Sequence, residues 1–337
     1  MAKPAISPVR WTPTPASTAG WPQPQEPEIS VIDVESDSPE DVVVDDRGRI
    51  WTGAIGGDII CIDPDSGRWQ VVATTGGRPL GLEVLGARLF ICDSERGLLQ
   101  MNLDTYAIET IIEEADGVPL TFCSNVIVTE HTGGIDPRPR ELYVSQSTTR
   151  FGYDHYKGDI IEHSGTGRLI RVRFDDDLRP TATVVINDLQ FANGIVAHAG
   201  LLHVAETGDY RVRSYSPATG EQAVTIDRLP GFPDNASISA DGEHMWLAMA
   251  GMRSRPLELL AKYPRLRKLI WRVPDRFLPE PVTPLWLLKI ELPGGRVVAD
   301  HRVHIPGFGM STGVVETGGK VWISGIGSSK IAWFSTR

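Results

Sequence analysis

The stretch "DVVVDDRGRIWTGAIGGDIICIDPDSGRWQVVA", residues 41–73, contains the pattern that decides the predicted fold. It has four short apolar runs, separated by an Asp-Asp-Arg-Gly turn, a Gly-Gly turn and an Asp-Pro-Asp-Ser-Gly turn. Alternation of apolar and polar residues, broken by such turn residues, is typical of antiparallel strands joined by hairpins. The stretch therefore predicts one four-stranded antiparallel sheet.

The same cycle recurs along most of the chain, with almost no helical pattern. Six units of roughly 40 residues, each with four antiparallel strands, are the signature of an all-β, six-bladed β-propeller. The later units occupy residues 80–112, 124–186, 193–226, 236–303 and 313–335, the third and the fifth with insertions.

The last unit supplies only three strands, and "EISVIDV" at residues 28–34 is predicted to provide the fourth. Pairing the N-terminal strand there closes the ring and removes the exposed edges of an open array. We therefore expect a single propeller over residues 28–337. Residues 1–27 are rich in Pro, Ser and Thr and are predicted to form a loosely ordered arm.

Composition excludes several classes of protein. A formal net charge of −10 argues against non-specific nucleic-acid binding, which requires a basic surface. The sequence has no run of about 18 apolar residues, so it predicts no membrane-spanning helix. The three cysteines are an odd number and favour buried free thiols in a reducing compartment, so we expect a cytoplasmic protein.

Polar residues recur where the innermost strand of each blade begins. These strands surround the central channel, so their first residues are expected to meet at one mouth of it. Oxygen ligands of this kind, without sulfur or imidazole, suit Ca²⁺ better than Zn²⁺. Considered singly, each residue is also compatible with a turn, as Asn193-Gly194 is with a hairpin. The set is Glu40, Asn125, Asn193, Asp234 and Asn235, with Leu80 and Thr312 at the other two blades.

Four segments resemble the strictosidine synthase-like family, a branch of the six-bladed superfamily that holds the gluconolactonases (SMP-30-like) and paraoxonases. They are Arg-Pro-Leu-Gly-Leu at 78–82, Thr-Gly-Arg-Leu at 166–169, Phe-Ala-Asn-Gly at 191–194 and Pro-Gly-Phe-Pro-Asp-Asn at 230–235. In the hydrolytic relatives, a Glu, two Asn and an Asp or Asp-Asn hold a catalytic divalent metal, usually calcium. The resemblance implies that role for Glu40, Asn125, Asn193, Asp234 and Asn235.

Two departures from the relatives limit the expected chemistry. Paraoxonases carry a catalytic histidine at the head of blade two, where this chain has Leu80. Plant strictosidine synthases use a glutamate at the head of blade six. Here the matching residue is Gly313, and Glu316 lies on the opposite face of the strand.

The resemblance implies a metal-dependent hydrolase that opens lactones or cleaves related esters, with a small molecule as its partner. Asp234 is the expected general base and His155 the reserve candidate. The expected cation is Ca²⁺, with Zn²⁺, Mn²⁺ or Mg²⁺ as alternatives. A non-catalytic, metal-stapled binding propeller and a synthase or isomerase are the alternative functions. The residues expected to contact substrate are Leu80, Phe122, Tyr153, Tyr156 and Thr312.

Two insertions are expected to overhang the same mouth. Blade three carries residues 150–165, and blade five carries residues 252–284, the only helix-like stretch, which we interpret as a lid. Between Met252 and Arg276 there are eight basic residues and two acidic ones. A cap packed on the propeller and a membrane-surface contact through residues 252–276 are the alternatives. Its apolar residues at helical spacing are Leu259, Leu260, Tyr263, Leu266, Ile270 and Val273.

Overall fold

The computed structural model describes residues 3–134, 136–274 and 283–336. The chain forms six four-stranded sheets in which neighbouring strands are antiparallel and follow chain order. In the sixth sheet the first strand of the chain, β1 (Ser30–Asp33), pairs with the last one, from Ser30 opposite Trp333 to Asp33 opposite Lys330. The predicted six-bladed propeller, closed by an N-terminal strand, is confirmed.

The first three blades are formed by strands between β2 and β15. Blade one contains β2 (Val42–Val44), β3 (Ile50–Gly53), β4 (Asp58–Ile62) and β5 (Trp69–Thr74). Blade two contains β6 (Pro79–Leu85), β7 (Arg88–Asp93), β8 (Gly97–Asn102) and β9 (Ile108–Ile112). A small hairpin follows, β10 (Glu114–Ala115) and β11 (Val118–Pro119), and blade three contains β12 (Cys123–His131), β13 (Pro139–Gln146), β14 (Gly167–Phe174) and β15 (Pro180–Leu189).

The remaining blades follow the same plan. Blade four contains β16 (Ala192–His198), β17 (Leu201–Glu206), β18 (Arg211–Tyr215) and β19 (Gln222–Ile226). Blade five contains β20 (Gly231–Ile238), β21 (His244–Met252), β22 (Leu285–Glu291) and β23 (Val297–Val303). Blade six contains β24 (Met310–Thr317), β25 (Lys320–Ile326), β26 (Lys330–Ser335) and β1.

Aspartate-based turns separate the strands, as the sequence predicts. Between β2 and β3 the Asp45 carboxylate accepts hydrogen bonds from the backbone N–H groups of Arg47 at 3.0 Å and Arg49 at 2.9 Å. Gly48 takes the positive φ of 78° that this turn needs. Because such turns are local, their recurrence in the sequence marks the boundaries between strands correctly.

The core is divided among the interfaces between neighbouring blades. Strand β4 shows how the alternation serves this arrangement: Ile59 packs with residues of blade two, whereas the next residue, Ile60, packs with residues of blade six. Successive side chains on a strand point to opposite faces, so each blade buries both of its faces. All three cysteines are buried and unpaired.

The insertions form a helical cap. In blade five, α2 (Arg255–Leu259) is capped by Ser254, whose Oγ accepts from the N–H of Leu257, and α3 (Pro264–Trp271) begins at a proline. Blade three contributes α1 (Lys157–Glu162), so the prediction that only blade five carries a helix is wrong. The Arg267 guanidinium donates to the carbonyl of Ile161 at 2.6 Å and so joins α3 to α1. Residues 275–282 of the predicted lid lie outside the described residues.

The apolar spacing suggests that the apolar residues of the blade-five insertion pack inward, but several of them are exposed. Leu259, Tyr263 and Leu266 keep 75%, 57% and 47% of their surface exposed. The cap is held instead by the buried side chains of Arg267 and Trp271. Among the described residues, no helix is long and apolar enough to cross a membrane.

The N-terminal arm is bound more closely to the cap than its composition suggests. Residues 3–27 include no named helix or strand, yet Ile6 is buried in a cluster with Phe151 and Trp271. The Trp271 indole N–H donates to the carbonyl of Pro4 at 2.7 Å, and the N–H of Val9 donates to the carbonyl of Glu162 at 2.9 Å. Proline-rich extended chain thus fills the space beside the helices.

Closure of the ring can be tested at the strand that completes it. Val34 follows β1, is fully buried and packs with Trp322 and Ile331, whereas Val31 within β1 is 46% exposed. Val34→Ala should lower the free energy of unfolding by about 1.5–3 kcal/mol, because it removes two buried methyl groups and leaves a cavity. Chemical denaturation measures this change, and Val31→Ala, the matched control, should stay within about 0.5 kcal/mol of the wild type. An equal effect of both variants would contradict closure through packing of this strand.

Candidate metal centre and its apolar roof

The predicted site residues lie together at one end of the channel. Strand β2 begins just after Glu40, and the other inner strands β6, β12, β16, β20 and β24 begin near the remaining positions. All seven rim residues are buried: Glu40, Leu80, Asn125, Asn193, Asp234, Asn235 and Thr312. Asn193-Gly194 lies within β16, so it does not form a hairpin turn.

Irregular strand pairing occurs at this rim in five blades. The register shifts fall between Cys123 and Asn125 in β12, and between Ala192 and Ile195 in β16. The shifts in β6, β20 and β24 fall at 79/82, 233/236 and 311/313. A bulge re-aims side chains and often lies beside a functional site. The irregularities therefore turn rim side chains away from the regular pleat.

Glycines allow neighbouring inner strands to approach closely at the same height. A Cβ on Gly81 would lie 2.5 Å from the Cα of Asn125, and one on Gly194 would lie 2.6 Å from the Cα of Asn235. A Cβ on Gly313 would lie 2.7 Å from the Cα of Asp41. Such distances exclude any side chain at these positions, so the glycines set the diameter of the ring.

Two of the amides are engaged in contacts that hold the ring together. The Asn125 Nδ2 group donates to Asn235 Oδ1 at 3.1 Å, and Asn125 Oδ1 accepts from the N–H of Ile195 at 3.2 Å. The predicted ligands Asn125 and Asn235 are thus brought together. Each amide oxygen accepts one hydrogen bond and retains a second lone pair, so both remain candidate ligands.

The two acidic members have carboxylate oxygens without a protein partner. Glu40 Oε2 and Asp234 Oδ1 are buried and find no hydrogen-bond donor among the described residues. Burial raises the pKa of Glu40 well above its usual range, and the neighbouring Asp234 charge adds to the rise. Burial also raises the pKa of Asp234 to about 8, which the Asn193 amide opposes. Buried, unpaired carboxylates require either protonation or a cation beside them.

This donor set fits a hard divalent cation. Glu40 and Asp234 supply two formal charges, and Asn193 Oδ1, which accepts from Ser124 Oγ at 3.1 Å, retains a second lone pair. In the described part of the chain, no group of three or more His, Cys, Asp or Glu side chains is placed to bind a metal. The candidate centre therefore depends on amide oxygens and water for the rest of its coordination.

An apolar roof covers the rim and contains most of the residues predicted to contact substrate. Leu80, Phe122 and Phe191 are buried together, with Tyr153, Tyr156 and Ile160 packed against them. Thr312 belongs to the rim and not to the roof. Its hydroxyl donates to the carbonyl of Glu40 at 2.5 Å, so it positions that residue.

Two further residues lie near the roof. The predicted reserve base, His155, contacts Trp271 edge-on with ring centroids 6.3 Å apart. Sequence reasoning missed Arg78, which is only 3% exposed and whose Nη2 donates to the Tyr153 hydroxyl at 3.2 Å. Its place at the start of the blade-two inner strand, within Arg-Pro-Leu-Gly-Leu, was the available signal.

Comparisons with known proteins agree with this architecture. Family models described as "Strictosidine synthase" and "Strictosidine synthase-like, N-terminal" match residues 133–204 and 28–62. Protein STRICTOSIDINE SYNTHASE-LIKE 6 of Arabidopsis thaliana is 32% identical over 240 residues, which cover 69% of this chain and 62% of that protein. Adipocyte plasma membrane-associated protein of Salmo salar is 29% identical over 270 residues, covering 72% of this chain and 62% of that protein. The chain thus spans less than two thirds of the length of these relatives.

A solved structure supports the fold across nearly the whole chain. Regucalcin from Agrobacterium tumefaciens, described as a calcium-binding protein, aligns with a TM-score of 0.61 at 15% identity, covering 96% of this chain and 95% of that one. The fold is therefore a six-bladed propeller, as in regucalcin. By sequence, this chain belongs to the strictosidine synthase-like family.

The candidate metal centre predicts a specific response to divalent cations. Ca²⁺ at about 100 times its Kd should stabilise the wild type by about 2.7 kcal/mol, because the cation binds the folded state alone. Asn193→Ala should lose much of this gain, as followed by the melting temperature in EDTA and in added Ca²⁺. Asn102→Ala removes a surface turn contact, in which Asn102 Oδ1 accepts from the N–H of Asp104 at 2.9 Å, and should keep the full response. No Ca²⁺ response in the wild type, together with no stoichiometric divalent ion, would contradict the centre.

Proposed function

We propose that this protein is a metal-dependent hydrolase that opens lactones or cleaves related esters at the channel mouth. The supporting observation is the pair of buried carboxylates, Glu40 and Asp234, whose unpaired oxygens lie beneath an apolar roof. Ca²⁺ is the cation that we expect first, and Zn²⁺, Mn²⁺ and Mg²⁺ are the alternatives to include in assays. A bound divalent cation would polarise the substrate carbonyl and stabilise the negative charge that develops on its oxygen.

The residues around this cation would bind it, accept a proton from water and exclude bulk water from the site. The cation would be held by the five rim residues Glu40, Asn125, Asn193, Asp234 and Asn235. Asp234 would accept a proton from the attacking water, since a nearby cation favours its ionised form at neutral pH. Roof residues Phe122 and Tyr153 would exclude bulk water from the reacting ester.

Two alternatives use the same cavity. In a binding or scaffold propeller, the cation would hold the rim residues together, and no substrate would be converted. A synthase or isomerase would need a different acid or base, and Glu316 is occupied at the other face of its strand, where its carboxylate accepts from the Trp246 indole at 2.7 Å. A panel of lactones and aryl esters, assayed with Ca²⁺ and with EDTA, separates the proposed hydrolase from both alternatives. As the compartment we propose the cytoplasm, supported by three buried cysteines that stay free.

The base assignment can be tested by one isosteric change. Asp234→Asn keeps an oxygen near the cation and removes the proton acceptor, so turnover should fall about 10²-fold or more. Stabilisation by Ca²⁺ should be retained in part, which a melting experiment measures. His155→Ala is the companion variant and should keep its turnover, because His155 contacts Trp271. Near-wild-type turnover in Asp234→Asn, with a loss in His155→Ala, would assign the base to His155 instead.

We also propose that the blade-five helices contact anionic lipid surfaces. Leu259, Tyr263, Leu266 and Leu269 are 75%, 57%, 47% and 63% exposed, which is unusual for apolar residues on a helical cap. Exposed basic residues lie among them, so the cap could bind acidic headgroups although the whole chain carries a charge of −10. The basic residues are Arg255, Lys262, Arg265, Lys268 and Arg272.

Vesicle co-sedimentation tests this contact. The protein should bind vesicles that contain phosphatidylserine better than vesicles of phosphatidylcholine alone, and added salt should weaken the binding. Leu259→Ser with Leu269→Ser should reduce it several-fold, since about 0.8 kcal/mol per buried methylene is lost. Val71→Ser, at a 45% exposed position on β5, is the matched control and should bind normally. Equal binding by all three proteins would exclude the cap as the contact surface.

A further inference from the structure

Arg78 is a buried cation without a counter-ion in contact. Its guanidinium uses Nη2 for the Tyr153 hydroxyl, while Nε and Nη1 find no acceptor among the described residues. Its Cζ atom lies 4.8 Å from the centre of the Tyr153 ring, which holds the planar group against the roof. Buried charges are normally paired, so two free donors on a side chain that is 3% exposed indicate a missing ligand.

The nearby carboxylates do not supply that partner. The Arg78 charge acts on Glu40 without contact, and Glu40 Oε2 remains unpaired. The third buried acid, Asp41, is turned to the backbone, where it accepts from the N–H groups of Val42 at 2.8 Å and Leu82 at 2.9 Å. A divalent cation at the rim would neutralise Glu40 and Asp234 and would leave the Arg78 donors without an anion.

The surroundings of Arg78 define the shape of the missing ligand. The guanidinium lies beside the apolar roof, where Phe122 and Tyr153 stack with ring centroids 6.0 Å apart and Phe122 meets Phe191 edge-on at 5.3 Å. A planar fork of donors matches a carboxylate, which it can bind through two hydrogen bonds. Aromatic walls favour a flat apolar group attached to that carboxylate.

We propose that Arg78 is a carboxylate-binding residue between the rim and the roof, and that this site takes an acid with an aromatic or other flat apolar body. The inference rests on the proposed function only in that the same site is used. It names the substrate class as lactones or esters that carry a free carboxylate. Binding of the carboxylate requires no turnover, so it can be measured separately from hydrolysis.

Wild-type protein allows the first test. Phenylacetate should stabilise the Ca²⁺-loaded protein against thermal unfolding in a saturable way, whereas phenylacetamide, which is similar in shape but neutral, should bind at least about tenfold more weakly. Acetate, which lacks the ring, should also bind more weakly. Equal binding of phenylacetate and phenylacetamide would overturn the proposal, whatever the outcome of the hydrolase assays.

Variants separate Arg78 from the cation as the binding group. Arg78→Gln should weaken phenylacetate about tenfold or more and leave the Ca²⁺-dependent rise in melting temperature intact, while Arg78→Lys should lie between it and the wild type. Arg168→Gln is the matched control: Arg168 is also buried, but its Nε donates to Gln146 Oε1 at 2.8 Å. That variant should lose stability yet bind phenylacetate with the wild-type affinity. Wild-type affinity in Arg78→Gln would assign the carboxylate to the cation and overturn the role of Arg78.

Discussion

Close contact between inner strands of neighbouring blades is the constraint on which the site depends. Each rim glycine abuts the backbone of the next blade, as Gly194 does at Asn235, and no side chain could occupy that space. Closure of the ring by β1 keeps the six strands at this distance, because an open ring would let the blades separate. The rim residues converge as a consequence of the closure, although they are far apart in sequence.

Convergence concentrates charge where water is largely excluded. Burial drives the pKa values of Glu40 and Asp234 upward, and that of Asp41 to about 7. Such an arrangement is unfavourable without compensation, since each ionised carboxylate has lost its hydration. A divalent cation at the proposed site would recover this loss only in the folded protein, so its binding would stabilise the propeller.

The sequence predicts well those features that are local or repeated. Asp45 and Gly48 form their turn through bonds between near neighbours, so the blades could be counted from such turns. Repetition also located Asn193 and Asp234, because equivalent positions in a closed ring must meet.

Features that depend on contacts between distant segments escaped sequence reasoning. The apolar spacing of α3 favours burial of Leu266, but Arg267 is buried instead, and its guanidinium donates a hydrogen bond to the carbonyl of Ile161 in α1. The burial of Arg78 depends likewise on Tyr153, which comes from an insertion in the next blade. Neither partner could be identified from one segment alone.

The backbone conformation of two roof residues, Phe122 and Phe191, helps to form the apolar surface above the rim. Phe122 and Phe191 have φ values of 58° and 60°, a left-handed conformation that costs a bulky residue roughly 1–2 kcal/mol. Both stand just before an inner strand, and their carbonyls accept from the N–H groups of Ser147 at 3.2 Å and Thr207 at 3.1 Å. The same unfavourable conformation therefore occurs at equivalent places in two adjacent blades, where it lets the two rings meet edge-on above the rim. Because packing among the roof residues offsets the strain, the propeller presents a preformed apolar surface opposite the polar ring.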